Sequence, residues 1–278
     1  MTTVAPTSSP APAPRATATR GDHSASVTQI GLSLAVRSIV NVFRVPGAFV
    51  PVMVMPIFFL LSFSGSFGGL AGRLVPTDNM LNWVMPYAIM QGAAFAGMGA
   101  TFSVARDLEG GFYDRLLLAP APRRALLVGP VLAAMIRALI PVVVVFVFAT
   151  LGGARLVDGP LGLVTLVVAA MGTAAVAALW GLGIAYRFKS QRSLALVQVG
   201  IFSAMFLSAS QVPVSQIEGW VHPIARINPI TNVLRLAREG FIQPGLTWST
   251  TSAGVLALAA MGAFFFLFAT RGMRRLVP

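Results

Sequence analysis

The chain carries few side chains that could do chemistry, and their placement argues against catalysis. It has no cysteine, which excludes disulfides, thiol catalysis and cysteine metal sites. Of its two histidines, His23 lies in the N-terminal tail and His222 in a predicted loop, so no histidine metal cluster is expected. All eight acidic residues fall in loops, in tails or at the ends of apolar segments. We therefore expect no catalytic residue, no paired carboxylates inside an apolar segment and no metal site.

The nearest approach to a phosphate-binding loop is the octapeptide GIAYRFKS at residues 183–190. The motif G-x-x-x-x-G-K-[ST] needs glycine where Phe188 stands, because the backbone must curl around a phosphate. The octapeptide also lies at the end of a long apolar run, not between a strand and a helix. We expect no nucleotide to bind to this chain, so any ATP and magnesium would be bound by another protein.

One basic side chain, Arg137, interrupts an apolar run. It lies about 20 Å along a helix from Arg124, at a rise of about 1.5 Å per residue. A buried arginine is costly in lipid and usually faces a helix bundle or a cavity. It could contact an anionic or hydrogen-bonding group of a substrate. Alternatively, it pairs with helix carbonyls or hydroxyl groups of another span, or the helix begins later than residue 125.

Composition indicates that these few residues are positioned by helices in a membrane. Hydrophobic residues make up 56% of the chain and charged residues only 10%, and the mean hydropathy is +0.81. A soluble domain of 278 residues needs more charge to cover its surface. The net charge of +12 comes from short basic groups between uncharged runs, which suits anionic headgroups and not nucleic acid.

The order of segments predicts an all-α polytopic membrane protein with six transmembrane helices. Residues 1–26, rich in Pro, Ala, Thr and Ser, are expected to form a disordered cytoplasmic tail, and residues 27–278 a single transmembrane domain. An amphipathic helix at about 27–44 should lie flat at the membrane interface. Runs long enough to cross a bilayer predict spans at about 46–68, 82–105, 125–150, 161–186, 194–212 and 248–270.

The distribution of basic residues predicts the orientation of these spans. With both termini in the cytoplasm, fourteen of the twenty basic residues lie inside and five outside, and Arg137 lies within a span. The positive-inside rule therefore favours cytoplasmic termini. The excess of arginine over lysine, together with abundant Ala and Gly, hints at a GC-rich bacterial genome and hence at a bacterial plasma membrane.

Two segments outside the spans carry specific patterns. The cytoplasmic loop after the second span includes Glu109, Gly110, Phe112, Arg115, Leu116 and Pro120, and predicts a short amphipathic helix that ends at proline. Such a helix could dock on a soluble partner, or it could be an ordinary interfacial loop that carries topology charges.

The external segment before the last span includes Pro213, Trp220, Asn228, Pro229 and Arg238. Asn228 followed by Pro229 is a helix-start signature, and Gly240 is well placed to end that helix. We expect short helices in or dipping into the outer interface, with Arg235, Arg238 and Glu239 on their polar side and with Trp220 and Trp248 as interfacial anchors.

Together these two segments resemble type-2 ATP-binding-cassette (ABC) permeases, and within them the daunorubicin-resistance-type drug exporters. The loop matches the family's acidic residue, glycine, basic-and-leucine run and proline. The external segment matches its proline, tryptophan helix, Asn-Pro and arginine helix. The resemblance covers the chain from about residue 28 to the end.

This resemblance implies a transport subunit that is not itself an enzyme. The loop helix at about 108–119 would be the coupling helix, seated on a separate ATPase subunit that binds ATP and magnesium. Two permease copies, or two related permeases, would alternate between inward- and outward-facing states and export hydrophobic or amphiphilic compounds such as drugs, antibiotics or lipids.

Two other classes of protein remain open from the residues alone. A self-contained secondary transporter or channel usually places Asp, Glu or His within its spans, and this chain does not. A membrane scaffold that transports nothing would need no coupling helix.

Overall fold

A computed structural model describes Val36, residues 46–111, residues 123–242, residues 245–274 and Leu276. Within these residues the protein is helical and contains no strand. Besides three short 3₁₀ turns, the helices are α1 (Pro46–Phe67), α2 (Met80–Glu109), α3 (Arg123–Arg137), α4 (Leu139–Leu151), α5 (Gly159–Phe188), α6 (Leu194–Phe206), α7 (Val221–Ile227), α8 (Pro229–Ile242) and α9 (Trp248–Arg274). The predicted all-α polytopic fold is confirmed. The predicted tail and interfacial helix lie outside the described residues except for Val36, which is helical.

Five stretches of the described helices are long and apolar enough to cross a bilayer: one in α1 that runs into the following turn, α2, α3 with α4, α5 and α9. The third crossing is divided at Ala138. Pro141 explains the division, because it has no N–H to donate to the carbonyl one turn earlier, at Arg137. The sequence pattern gives one span here, and the structure gives two helices joined by a kink.

The bundle is built around α2 and α5, which pack closely because their facing residues are small. A Cβ atom on Gly97 of α2 would lie 2.6 Å from the carbonyl oxygen of Ala174, and one on Gly181 of α5 would lie 2.2 Å from Thr101 Oγ1. Small residues let helix backbones approach in a membrane, where apolar contact with lipid competes with apolar contact between helices. α9 packs along another side of α5.

The predicted fifth span differs most from the structure. The predicted span 194–212 is helical only over α6, whose 13 residues reach about 20 Å, against a hydrocarbon core of about 30 Å. Residues 207–213 continue towards the end of the bundle where α2 begins without forming a helix. Non-helical backbone at such a depth is tolerated only where protein groups satisfy its carbonyls.

The helices α7 and α8 form a re-entrant pair that dips into the bundle from the end where α2 begins. The chain turns at Asn228, whose side-chain amide donates to the carbonyl of Ala204 at 2.6 Å. α8 then returns to that end, where Asn82 Nδ2 donates to the carbonyl of Phe241 at 3.0 Å. The segment before the last span therefore dips into the bundle and supplies part of its core.

Candidate functional site

The end of α2 joins two loops on the side predicted to be cytoplasmic. Glu109 closes α2, and Gly111 follows with a φ of +68°, which turns the chain away from the helix. The backbone N–H of Gln191 donates to Glu109 Oε1 at 2.7 Å, and the side-chain amide of Gln191 donates to Oε2. Glu109 therefore ties the start of the predicted coupling segment to the loop between α5 and α6.

The remainder of the predicted coupling segment lies outside the described residues: Phe112, Arg115, Leu116 and Pro120. Of that group the structure shows only Glu109 and Gly110. Gly110 donates its N–H to the carbonyl of Arg106 at 2.9 Å as the helix ends. The docking role of the loop stays a prediction.

The external motif occupies the turn and the return helix of the re-entrant pair. Asn228 Oδ1 accepts from the N–H of Ile230 at 2.9 Å, and Pro229 is the first residue of α8, so the Asn-Pro dipeptide starts the helix. Trp220 and Trp248 are both 71% exposed, at the starts of α7 and α9. Pro213 precedes a 3₁₀ turn at Val214–Gln216.

The prediction for Gly240 was wrong by two residues, because α8 continues to Ile242. Gly240 instead allows close contact between α8 and α5. A Cβ atom on Gly240 would lie 2.0 Å from the Cα atom of Gly162. The carbonyl of Gly240 also accepts from the N–H groups of Val157 and Asp158 at 2.9 and 3.2 Å.

Arg238 does not lie on a polar face, and that prediction was wrong. It is buried at 3% exposure, while Arg235 on the same helix is exposed. Its guanidinium donates to three carbonyls, those of Trp83 at 3.0 Å, Ala209 at 2.7 Å and Ser210 at 2.5 Å, and stacks 3.7 Å above the Trp83 ring. Trp83 Nε1 in turn donates to the carbonyl of Gln211 at 2.7 Å. These two side chains satisfy three carbonyls of the non-helical residues 207–213, those of Ala209, Ser210 and Gln211.

Arg137 ends α3 at the kink, where it is half-buried. Its Nε donates to the carbonyl of Ala133 at 3.3 Å, which agrees with the pairing to helix carbonyls considered above. Its guanidinium also approaches Gly99 of α2, where an added Cβ would lie 3.6 Å from Nη1. A contact with substrate stays a prediction.

Sequence reasoning missed a buried polar group on α2. Gln91 is 2% exposed, and neither its side-chain oxygen nor its nitrogen has a hydrogen-bond partner among the described residues. No pattern in the sequence separates Gln91 from a glutamine that faces other polar groups, because its burial depends on the packing of other helices.

Comparison with known proteins gives the family of the chain. The model of the ABC-2 type transporter family matches residues 31–242, which include both segments with specific patterns. The daunorubicin resistance ABC transporter permease protein DrrB1 of Streptomyces coeruleorubidus is 25% identical over 256 residues, which cover 86% of this chain and 87% of that protein. The chain belongs to the ABC-2 type transporter family.

Proposed function

We propose that this chain is the membrane-spanning permease of an ATP-driven exporter of hydrophobic or amphiphilic compounds. The family match and the polytopic helical bundle support a transport subunit. The relative from Streptomyces coeruleorubidus is named for daunorubicin resistance. A drug is therefore a candidate substrate here, beside antibiotics and lipids.

The proposed energy source is a separate ATPase subunit that binds ATP and magnesium. The observation that carries this coupling is the contact of Glu109 with Gln191. It joins the end of α2 to the loop between α5 and α6 directly beside the predicted coupling helix. Movement of that helix would therefore reach the end of α2 and the loop between α5 and α6 at the same time. Two permease copies, or two related permeases, would form the pathway between them.

The proposed location is the plasma membrane of a bacterium, with both termini in the cytoplasm. The bias of basic residues supports this orientation. It places the Glu109–Gln191 contact inside the cell, where an ATPase could bind, and the re-entrant pair outside.

Co-purification of the tagged protein with its ATPase tests the proposal. We expect the ATPase to co-elute with the wild type, and the variant with Glu109→Ala and Arg115→Ala to lose it or to uncouple hydrolysis. The matched control changes one acidic and one basic residue at the opposite end, Asp78→Ala and Arg73→Ala, both exposed. This control should keep the ATPase.

The single variants separate two roles. Glu109→Ala removes both hydrogen bonds from Gln191, whereas Gln191→Ala removes only the one from the side-chain amide. Both should loosen the loop between α5 and α6, and Gln191→Ala should do so less. Arg115→Ala should weaken docking alone. If no ATPase binds to any of these proteins in a detergent that preserves such complexes, the proposal fails and a self-contained transporter or a scaffold takes its place.

A further inference from the structure

A cleft opens between α6 and α9 on the surface of the bundle. These helices pack against α5 from two sides and make almost no contact with each other. Between them lies a space of about 480 Å³, within the range of ligand-binding pockets. Its lining includes Ala177 and Trp180 of α5, Ile201 of α6, and Met261 and Phe264 of α9, and the start of α8 closes its outer end.

The lining of this cleft is almost entirely apolar. Two of its polar side chains are already occupied: Thr173 donates to the carbonyl of Ala169 at 2.7 Å, and the amide of Asn228 is used at the helix turn. Trp180 Nε1 is buried and has no acceptor among the described residues. The cleft therefore suits a hydrocarbon chain.

Basic residues lie just beyond one end of the cleft, on the three elements that form it. Arg187 follows Trp180 by seven residues on α5, and Arg271 follows Phe264 by seven on α9. Seven residues are two helical turns, so each arginine lies on the cleft face of its helix, about 10 Å further along it. Arg192 stands just before α6 and is exposed, as is Arg271.

Aromatic contacts connect the cleft to this basic rim. The Trp180 ring stacks on Phe268 with centroids 5.5 Å apart, and the guanidinium of Arg187 lies 3.6 Å above the same Phe268 ring. The surface between the cleft and the rim is therefore continuous, apolar at depth and positively charged at its end.

We propose that this cleft binds an anionic phospholipid from the leaflet on the side of Arg187. The acyl chain enters the space between α6 and α9, and the phosphate lies against Arg192 and Arg271. One leaflet contributes about 15 Å of hydrocarbon, half of the core. A chain that starts at the rim passes about 10 Å of helix to reach Trp180 and extends about 5 Å further, into the cleft. Basic groups beside helices attract anionic headgroups in this way.

Charge favours a phospholipid over the other occupants of such a cleft. A second copy of the chain would bring its own basic residues to the rim, since its net charge is also positive. A neutral amphiphile would gain nothing from Arg192 and Arg271. The proposal does not depend on an ATPase partner, so it can be tested on the purified full-length chain alone.

The test measures lipid binding to the delipidated protein in detergent by native mass spectrometry. The probes are palmitoyl-oleoyl phosphatidylglycerol and palmitoyl-oleoyl phosphatidylcholine, which differ in headgroup charge and share their acyl chains. We expect the wild type to bind the glycerol lipid at least about fivefold more tightly, because each basic residue contributes about that factor near an anionic lipid. Equal binding of the two lipids overturns the proposal.

Two pairs of variants locate the site. Arg192→Gln with Arg271→Gln should weaken phosphatidylglycerol binding by at least about fivefold and phosphatidylcholine binding by less, because the choline group offsets the charge of its phosphate. Arg73→Gln with Arg155→Gln, exposed and at the opposite end of the bundle, should change neither. If both pairs lower phosphatidylglycerol binding equally, the effect is one of net charge and the proposal fails.

A pair of alanine substitutions tests the cleft itself. Ala260 lines the cleft and is exposed, whereas the adjacent exposed Ala259 does not line it. Ala260→Trp should reduce binding of both lipids, and Ala259→Trp should reduce neither. Equal elution volume and helical circular dichroism of the two variants show that both are folded. Unchanged lipid binding in a folded Ala260→Trp protein overturns the proposal, and the arginine pair decides the question if that variant does not fold.

Discussion

Replacement of Arg238 by alanine should destabilise the bundle more than any other single arginine substitution among the described residues. The guanidinium is 3% exposed and donates to three carbonyl oxygens. Two of these, on Ala209 and Ser210, belong to residues 207–213, which form no helix. Without the guanidinium their oxygens would have no donor at that depth. The third, on Trp83, belongs to α2 and keeps the hydrogen bond of its own helix.

The magnitude follows from the two carbonyls that lose their donor. Each buried polar group left unsatisfied costs about 1–3 kcal/mol, so the loss of two costs about 2–6 kcal/mol. The stacking on the Trp83 ring adds about 1–2 kcal/mol, since the guanidinium is desolvated. At roughly 2–4 °C for each kcal/mol in a chain of this size, these contributions of about 3–8 kcal/mol should lower the apparent melting temperature by roughly 6–30 °C.

Thermal unfolding in detergent, followed by circular dichroism or by intrinsic tryptophan fluorescence, measures this change. Arg235→Ala is the matched control, because it removes the same side chain from an exposed position of α8. Arg238→Lys should fall between the two, since an ammonium group cannot span all three oxygens as the planar guanidinium does. A melting temperature for Arg238→Ala within about 1 °C of that for Arg235→Ala would refute the reasoning, because about 2 kcal/mol or more is expected.

Two further predictions concern packing and buried polarity. Gly240→Ala should destabilise the protein by about 1–3 kcal/mol or more through overpacking against Gly162. Gly262→Ala, where an added Cβ would have nothing within 4 Å, should be neutral or stabilising by up to about 1 kcal/mol. Thermal unfolding compares the two variants, and equal changes in melting temperature would contradict the close contact of α5 and α8. Gln91→Leu should raise the melting temperature, because it removes a buried amide with no partner among the described residues. Such an unpaired amide costs about 1–3 kcal/mol. A fall in melting temperature of several degrees would show that the amide is paired in the membrane.

The parts of the bundle that could be predicted from sequence are those that the lipid environment determines. Long uncharged runs must cross the hydrocarbon core as helices, so the positions of α2, α5 and α9 follow from the spacing of charged residues. The start of α8 follows from Asn228 and Pro229 for a similar reason, since a local hydrogen bond and a fixed φ need no knowledge of the rest of the fold.

The role of Arg238 could not be predicted in this way. By composition α8 is amphipathic, and a rule based on its own residues places every charged side chain on one polar face. In the structure Arg238 is buried because the distant residues 207–213 leave carbonyls that need a donor. The shortness of α6 was hidden for a related reason, because residues 207–212 are as free of charge as a helix would be.

The short helix α6 and the non-helical residues 207–213 after it have a consequence for biogenesis. The helix α6 is shorter than a segment that inserts stably alone. The donor for the carbonyls of Ser210 and Ala209, which follow it, is synthesised 28 and 29 residues later, at Arg238. Until the ribosome has synthesised Arg238, α6 and residues 207–213 have no stable position in the hydrocarbon core. We therefore expect α6 to insert stably only together with the re-entrant pair.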